Sequence, residues 1–245
     1  MEFIKGNFEN ALLVAKSTKQ LTGIGTYREK TLHIFLKNYI EPNSHYHEIK
    51  VGKKYADIVN ENGIIEIQTR SLNNLREKLE YLLNEYKVTI VYPYAALKWL
   101  IWLDPETGEI SKKRKSPKKL SFYDSFYELY KIKQYLSHPN LNLYLLGMEM
   151  EEIRYLKGWS ADRKKGSERM DRFPISILEE LHIKSFDDYI WLLPSNIPSP
   201  FTSVDYQKSA NVSPRVTGYA LNCLETLKII KCVGKKDRKK LYEIV

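Results

Sequence analysis

Residues 55–69 read Tyr-Ala-Asp-Ile-Val-Asn-Glu-Asn-Gly-Ile-Ile-Glu-Ile-Gln-Thr and predict a tight β-hairpin. Residues 64–69 are rich in β-branched side chains, as strands are, and Asn62-Gly63 is a strong signal for a hairpin turn. Because successive side chains of a strand point to opposite faces, Glu66 and Gln68 point to the same face of this hairpin.

The position of the turn decides which residue lies opposite Asp57. If Asn62-Gly63 forms the turn, Asp57 lies opposite Gln68; if Glu61-Asn62 forms it, Asp57 lies opposite Glu66. Either register puts Asp57 on the face of Glu66 and Gln68, whereas a three-residue loop would reverse the parity. We therefore expect two carboxylates to lie side by side.

Neighbouring carboxylates repel each other unless something neutralises them. Hard oxygen ligands of this kind suit Mg²⁺ or Mn²⁺, which keep several waters and recruit substrate phosphate. The alternative is the ordinary polar face of a half-solvated hairpin, since Asp and Glu are common on the outer face of antiparallel sheets.

The elements around the hairpin can also be predicted. Helical spacing of apolar residues predicts a helix over 27–40, and 46–51 reads as a strand. Downstream, 72–84 is an amphipathic helix, and 88–92 is an apolar strand that Pro93 closes. The predicted order is helix, strand, strand, strand, helix, strand.

Over residues 26–93 the chain resembles the PD-(D/E)XK, or restriction-endonuclease-like, nuclease superfamily, which has this αβββαβ core. Asp57 stands where the family has its first acid, and Glu66-Ile67-Gln68 stands where Glu-X-Lys is expected. Glu29 matches an acid that many members carry on the preceding helix. The resemblance implies Mg²⁺ (or Mn²⁺) held by Asp57 and Glu66, hydrolysis of DNA phosphodiester bonds, and support of the metal by Glu29 through a water.

Gln68 departs from the family pattern, which has lysine at this position. Glutamine can orient a water or donate to an oxyanion, but it brings no positive charge. Lys50, Lys54, Arg70 and Arg76 are candidates to supply that charge. The alternative function is a non-catalytic DNA-binding protein, a regulator or accessory factor, that retains the nuclease-like fold.

The C-terminal residues predict a second unit. Residues 201–210 read as a short helix, and Ser213-Pro214 reads as an N-cap followed by proline at the first helical position. Strands at 229–233 and 241–244 flank a basic turn at 234–240. Helix, turn, helix and basic hairpin resemble a winged-helix DNA-binding domain, whose first helix we expect within 186–193.

In that family the second helix enters the major groove and the hairpin contacts phosphates. Residues 206–245 contain nine Lys or Arg against three Asp or Glu. The expected DNA contacts are Lys208, Arg215, Lys235, Lys236, Arg238, Lys239 and Lys240. A protein-interaction role for this unit is the alternative reading.

Composition agrees with a nucleic-acid partner. The 245-residue chain has 39 Lys or Arg and 30 Asp or Glu, a net charge of +9, and a basic surface binds a phosphate backbone. No apolar run is long enough to span a bilayer, and no secretory signal is evident. Cys223 and Cys232 lack zinc-site spacing and read as reduced core thiols, which indicates a cytoplasmic protein.

The predicted organisation is an α/β protein in four parts. Residues 1–25 form an N-terminal arm with a short helix over 8–16, 26–157 a nuclease-like domain, 158–173 a polar, basic linker, and 174–245 a winged-helix domain. The strand expected over 141–156 extends the nuclease sheet. Many nucleases of this class act as dimers, so a homodimer is a possible partner, although nothing in the sequence marks a dimer face.

Overall fold

The computed structural model describes residues 6–22, 30–159 and 165–245. They form a mixed α/β structure with one seven-stranded mixed sheet, one three-stranded sheet and several helices. The α/β class predicted from the sequence is confirmed. Within the described residues, no helix combines the length and apolarity needed to cross a lipid bilayer.

The helices and strands have the following bounds. The α-helices are α1 (Phe8–Thr22), α2 (Thr31–Ile40), α3 (Arg76–Leu82), α4 (Phe126–Leu129), α5 (Ser203–Ala210) and α6 (Pro214–Thr226). The strands are β1 (His47–Val51), β2 (Lys54–Asn60), β3 (Gly63–Ile67), β4 (Val88–Leu103), β5 (Arg114–Lys115), β6 (Leu141–Tyr155), β7 (Glu168–Ile183), β8 (Phe201–Thr202), β9 (Ile230–Lys236) and β10 (Lys239–Ile244). Short 3₁₀ turns include Leu72–Leu75, which precedes α3, and Asp187–Leu192.

The large sheet has the strand order β1-β2-β3-β4-β6-β7, with β5 paired to β4. Strands β1, β2 and β3 are antiparallel neighbours, β3, β4 and β6 run parallel, and β7 returns antiparallel to β6. The predicted sequence helix, strand, strand, strand, helix, strand is therefore present, from α2 to β4.

Two apolar layers cover this sheet. One layer joins α1 and α2 to buried residues of the central strands, including Ile58, Ile65 and Val91. The rings of Phe8 and Phe35 lie 4.7 Å apart between α1 and α2. The helix predicted over 8–16 is therefore present and extends to Thr22. It packs on the sheet because its small and aromatic residues complete this layer.

The second layer covers the opposite face and is shared with the C-terminal elements. It joins Leu79 and Phe126 to Tyr206 and Cys223 in one cluster of buried residues. Cys223 is buried as predicted, but Cys232 is exposed, since it lies on the solvated face of β9.

Strand β4 is longer than the sequence predicts. Pro93 was expected to close it, yet the strand continues to Leu103. Pairing with β3 ends at Ile67 and Val91, so Pro93 lies beyond the end of β3 and its missing N–H breaks no ladder on that side. On its other side Pro93 stays in register with Leu146 of β6.

The linker predicted over 158–173 is wrong for residues 168–173, and the C-terminal domain does not begin at 174. Strand β7 covers 168–183 and pairs with β6 along most of its length. Its polar residues suggested a connector, but several of them line a charged pocket and are held there by specific partners. The division of the chain into domains otherwise stays a prediction.

The C-terminal elements follow the predicted order. Thr202 and Asp205 form a capping box on α5, and Asn211 ends that helix in the left-handed conformation. Ser213 Oγ accepts from the backbone N–H of Val216, and Pro214 is the first residue of α6. Strands β9 and β10 form a hairpin whose two-residue turn, 237–238, has positive φ at both positions.

Candidate active site

The β2–β3 hairpin has the second of the two predicted registers. Asn60 pairs with Gly63, so Glu61-Asn62 is the two-residue turn. The ladder between the two strands ends at Ile58 and Ile65. Beyond that point the strands separate, which leaves room for side chains between them.

The carboxylate of Asp57 lies at this separation. Its Oδ2 accepts a hydrogen bond from the backbone N–H of Ile67 at 2.7 Å. His33 Nε2, on α2, lies 3.3 Å from the same oxygen and 3.1 Å from the carbonyl oxygen of Ile67. Because that carbonyl can only accept, Nε2 carries a hydrogen and donates. Burial opposes ionisation of Asp57, but the contacts with His33 and Ile67 outweigh it, so the pKa of Asp57 lies below its ordinary value.

Glu66 is the more unusual carboxylate. Its side chain is only 2% exposed, and Oε2 lies 2.6 Å from Nζ of Lys78 on α3. Its other oxygen, Oε1, is buried without a hydrogen-bond partner among the described residues. Burial and the negative charge of Asp57 raise the pKa of Glu66 to about 7, although Lys78 opposes this rise.

The two carboxylates together fit a divalent cation. An orphaned carboxylate oxygen in a buried position is costly, and a cation would give it a partner. Among the described residues, no group of three or more His, Cys, Asp or Glu side chains is arranged to hold a metal. A site here therefore has two protein carboxylates, and water or substrate oxygens would complete the shell, as Mg²⁺ prefers.

Gln68 follows the last residue of β3. Its backbone N–H donates to the carbonyl of Val91, and its side-chain oxygen accepts from the backbone N–H of Arg70 at 3.1 Å. Within the described part of the chain, no hydrogen bond joins its side chain to Asp57 or Glu66. Glu29, the fourth predicted site residue, lies outside the described residues.

The positive charge at the carboxylates comes from a residue that the sequence analysis missed. Of the four candidates, Lys54 pairs loosely with Glu77 and Arg76 contacts Gln134. Lys78 instead reaches Glu66. Lys78 lies within the apolar stripe of its helix, three residues after Leu75, and a lysine in such a stripe is the signal that could have revealed it.

His33 was also missed. It lies among apolar residues of α2, and its contact with Asp57 joins two segments 24 residues apart. No local pattern in the sequence marks this contact.

The seven predicted DNA-contact residues are all exposed: Lys208, Arg215, Lys235, Lys236, Arg238, Lys239 and Lys240. Arg215 lies over the ring of Tyr127 and donates from Nε to the hydroxyl of Tyr219 at 3.1 Å. Lys240 Nζ lies 3.5 Å from a carboxylate oxygen of Glu225. The hairpin tip therefore carries an open cationic surface, whereas Arg215 is held between rings.

Comparison with known proteins identifies a family. The profile of the family described as "Domain of unknown function (DUF8091)" matches residues 30–184, from the start of α2 to the end of β7. A protein of Treponema pallidum (strain Nichols), described as an uncharacterized protein, is 28% identical over 226 residues, which cover 89% of this chain and 86% of that protein. No solved structure gives a significant match. Since the matched profile spans more than half of the chain, the protein belongs to the DUF8091 family.

Proposed function

We propose that the protein is a Mg²⁺- or Mn²⁺-dependent DNA endonuclease that hydrolyses phosphodiester bonds. The observation that carries this proposal is the buried, unpartnered Oε1 of Glu66 beside the carboxylate of Asp57. A protein keeps such a costly arrangement where function needs it, and perturbed carboxylates cluster at catalytic sites.

The topology supports the proposal. The two acids lie on the second and third strands of a sheet whose order resembles the PD-(D/E)XK core. They meet where β2 and β3 separate, near the last residue of β3, where the side chain of Asp57 is 18% exposed and that of Glu66 is buried.

In this proposal Asp57 and Glu66 would hold the cation, and the chemistry it would supply is neutralisation of the charge that develops on the phosphate. His33 orients Asp57 through its Nε2–H. Lys78 supplies the positive charge that the family places at the position of Gln68, and its ammonium group stabilises negative charge on the phosphate oxygens. Gln68 orients the attacking water through its side-chain N–H.

A winged helix delivers the enzyme to duplex DNA in this proposal. The order of helix, turn, helix and basic hairpin from α5 to β10, with β8 paired to β10, agrees with that fold. Support for phosphate contact comes from the hairpin tip, where Lys235, Lys236, Arg238 and Lys239 are exposed. Its attachment to the nuclease-like part through Tyr127 and Tyr219 would fix the hairpin relative to the carboxylates. A homodimer stays a prediction.

One observation favours the second candidate, a non-catalytic DNA-binding protein. Lys78 already neutralises one oxygen of Glu66, and the side-chain oxygen of Gln68 accepts a hydrogen bond from the backbone N–H of Arg70. A site that no longer binds metal could be stabilised by these contacts. The two candidates differ in one result, metal-dependent cleavage.

The test is cleavage of supercoiled plasmid and of a short duplex with Mg²⁺ or Mn²⁺. Asp57→Asn and Glu66→Gln preserve the size of each side chain. Lys87→Gln is a matched control that removes an exposed charge beside Ile64, at the start of β3, whereas the carboxylates meet near its end. We expect cleavage by the wild type and by the control, and loss of at least about a hundredfold in the two site variants, as is usual for groups that act on the transition state. Salt-sensitive DNA binding without cleavage of either substrate would instead establish the non-catalytic candidate.

A further inference from the structure

A cationic pocket lies beside the carboxylate pair. It is formed where the chain leaves β3, where α2 begins and where β7 passes both. Its polar lining residues are Lys30, Thr69, Arg70, Arg169, Asp171 and Arg172. Four of these six side chains are cations.

The pocket carries more positive than negative charge. Asp171, its one carboxylate, accepts from Thr31 Oγ1 at 2.7 Å and from the backbone N–H of Arg172 at 2.9 Å. The nearby buried Glu152 is bound by Arg154 and Lys98. Among the described residues, none of the four pocket cations forms an ion pair.

Two of the cations are held in place by backbone carbonyls. Arg172 Nη2 donates to the carbonyl of Thr69 at 2.5 Å, and Lys30 Nζ donates to that of Met170 at 2.5 Å. Burial and the neighbouring Arg169 lower the pKa of Arg172 to about 10. Burial, Arg70 and Arg169 likewise lower the pKa of Lys30. The folded protein thus keeps like charges together, and an anion would relieve their repulsion.

The start of α2 adds to this field. Lys30 is the N-cap of this ten-residue helix, and it gives no side-chain cap. The first turn of a helix carries partial positive charge and favours anions, phosphate among them. An uncapped helix start and a cluster of cations therefore converge on one pocket.

The pocket is close to the carboxylates. On α2, Lys30 precedes His33, which contacts Asp57, by one helical turn, about 5 Å. On the other side, Thr69 follows Ile67, which also contacts Asp57, by two residues, about 7 Å in extended chain.

We propose that this pocket binds a phosphate group of the polynucleotide strand that the carboxylate site acts on. This inference rests on the proposed function and identifies the residues that would position the polynucleotide strand. Guanidinium groups match phosphate geometrically, since each offers paired N–H donors to two oxygens. The phosphate is either internal or at a 5′ end, and the experiment distinguishes these sources.

The test measures binding in EDTA, so it does not depend on cleavage. The probes are a 3′-fluorescein oligonucleotide with a 5′-phosphate and the same oligonucleotide with a 5′-hydroxyl, and the readout is fluorescence anisotropy. We expect Arg70→Gln and Arg172→Gln each to weaken binding about tenfold, the effect of losing one charge-assisted hydrogen bond. Lys87→Gln should stay within about twofold of the wild type, because it removes one charge far from the pocket.

The two probes distinguish the two phosphate sources. If the pocket takes a 5′-terminal phosphate, the variants lose affinity only for the phosphorylated probe; if it takes an internal phosphate, they lose it equally for both. The Arg172 side chain also donates to the carbonyl of Thr69, so Arg172→Gln can lose affinity because the protein misfolds. Arg70 is exposed, and its variant avoids this problem.

Thermal unfolding without DNA separates binding from structural damage. Because Arg70→Gln relieves repulsion, we expect its Tm to equal or slightly exceed that of the wild type. The proposal is overturned if Arg70→Gln binds both probes as the Lys87→Gln control does. It is also overturned if its loss of affinity comes with a lower Tm. A protein that binds as predicted but cuts nothing would refute the proposed catalysis and leave the pocket intact.

Discussion

Replacing Glu66 by glutamine should make the protein more stable at alkaline pH. The pKa of Glu66 rises from an ordinary value of 4.5 to about 7 in the folded chain, first because the carboxyl is buried and then because Asp57 is negative. The two values differ by about 2.5, and each pKa unit is about 1.4 kcal/mol, so keeping this carboxylate ionised costs about 3 kcal/mol. Glutamine has nearly the same shape and carries no charge.

The sign and the pH window follow from linkage. A carboxyl whose pKa is raised on folding binds its proton more tightly in the folded state. The cost of this ionised carboxylate to the unfolding free energy is therefore absent well below pH 4.5, grows as the pH rises from 4.5 to 7, and is complete above 7. We expect Glu66→Gln to gain about 3 kcal/mol of unfolding free energy at pH 8 and less than about 1 kcal/mol at pH 5.

Urea denaturation in EDTA, followed by tryptophan fluorescence at both pH values, measures this gain. Glu152→Gln is the matched control, because Glu152 is equally buried but its pKa is lowered, as Lys98 and Arg154 outweigh burial. That variant should lose stability at pH 8. The reasoning would be refuted if Glu66→Gln gained the same unfolding free energy at pH 5 and pH 8, or if it lost stability at pH 8.

Three further predictions concern the charge pair, the hairpin turn and the basic hairpin. Lys78→Met should abolish cleavage. It should also destabilise the protein by about 3 kcal/mol at pH 8, and by less at pH 5, because it leaves a buried carboxylate unpaired. Urea midpoints for this variant and for Lys78→Arg test this prediction. Gly63→Ala should cost about 2–3 kcal/mol, since Gly63 has φ of +100° and an added Cβ would lie 2.6 Å from the carbonyl of Lys87. Gly218→Ala, in open space on α6, should be neutral or stabilising in the same urea assay. Arg238→Gln with Lys239→Gln should lower the slope of log Kd against log salt by about two, measured by titrating a duplex at several salt concentrations.

The local parts of the site could be predicted from the sequence. Alternation predicted that Asp57 and Glu66 would share a face in either register, because a strand has a strict two-residue period. The Asn-Gly signal located the hairpin but not its turn, which is Glu61-Asn62. The N-cap at Ser213 could be predicted for the same reason, since it depends only on neighbouring residues. His33 and Lys78 could not be placed in the same way, since each reaches the carboxylates from a separate helix, and only tertiary packing brings them there.

The error at residues 168–173 has a different cause. Charged and polar residues such as Asp171 and Arg172 usually indicate a solvated connector. Here they lie in a strand of the main sheet and line the cationic pocket. The polar composition of residues 168–173 is therefore unusual for a strand of the main sheet, and such conflicts are expected where a protein carries a binding site.

The central claim is that Asp57 and Glu66 form one divalent-cation site, and binding of Mn²⁺ measured by electron paramagnetic resonance tests it most directly. We expect the wild type at pH 8 to bind one Mn²⁺ per chain, to release it on addition of excess Mg²⁺, and to lose this binding in both Asp57→Asn and Glu66→Gln. Because Glu66→Gln should be the more stable protein, its loss of Mn²⁺ cannot be attributed to unfolding. Wild-type protein that binds no Mn²⁺, or variants that bind it as the wild type does, would contradict the account.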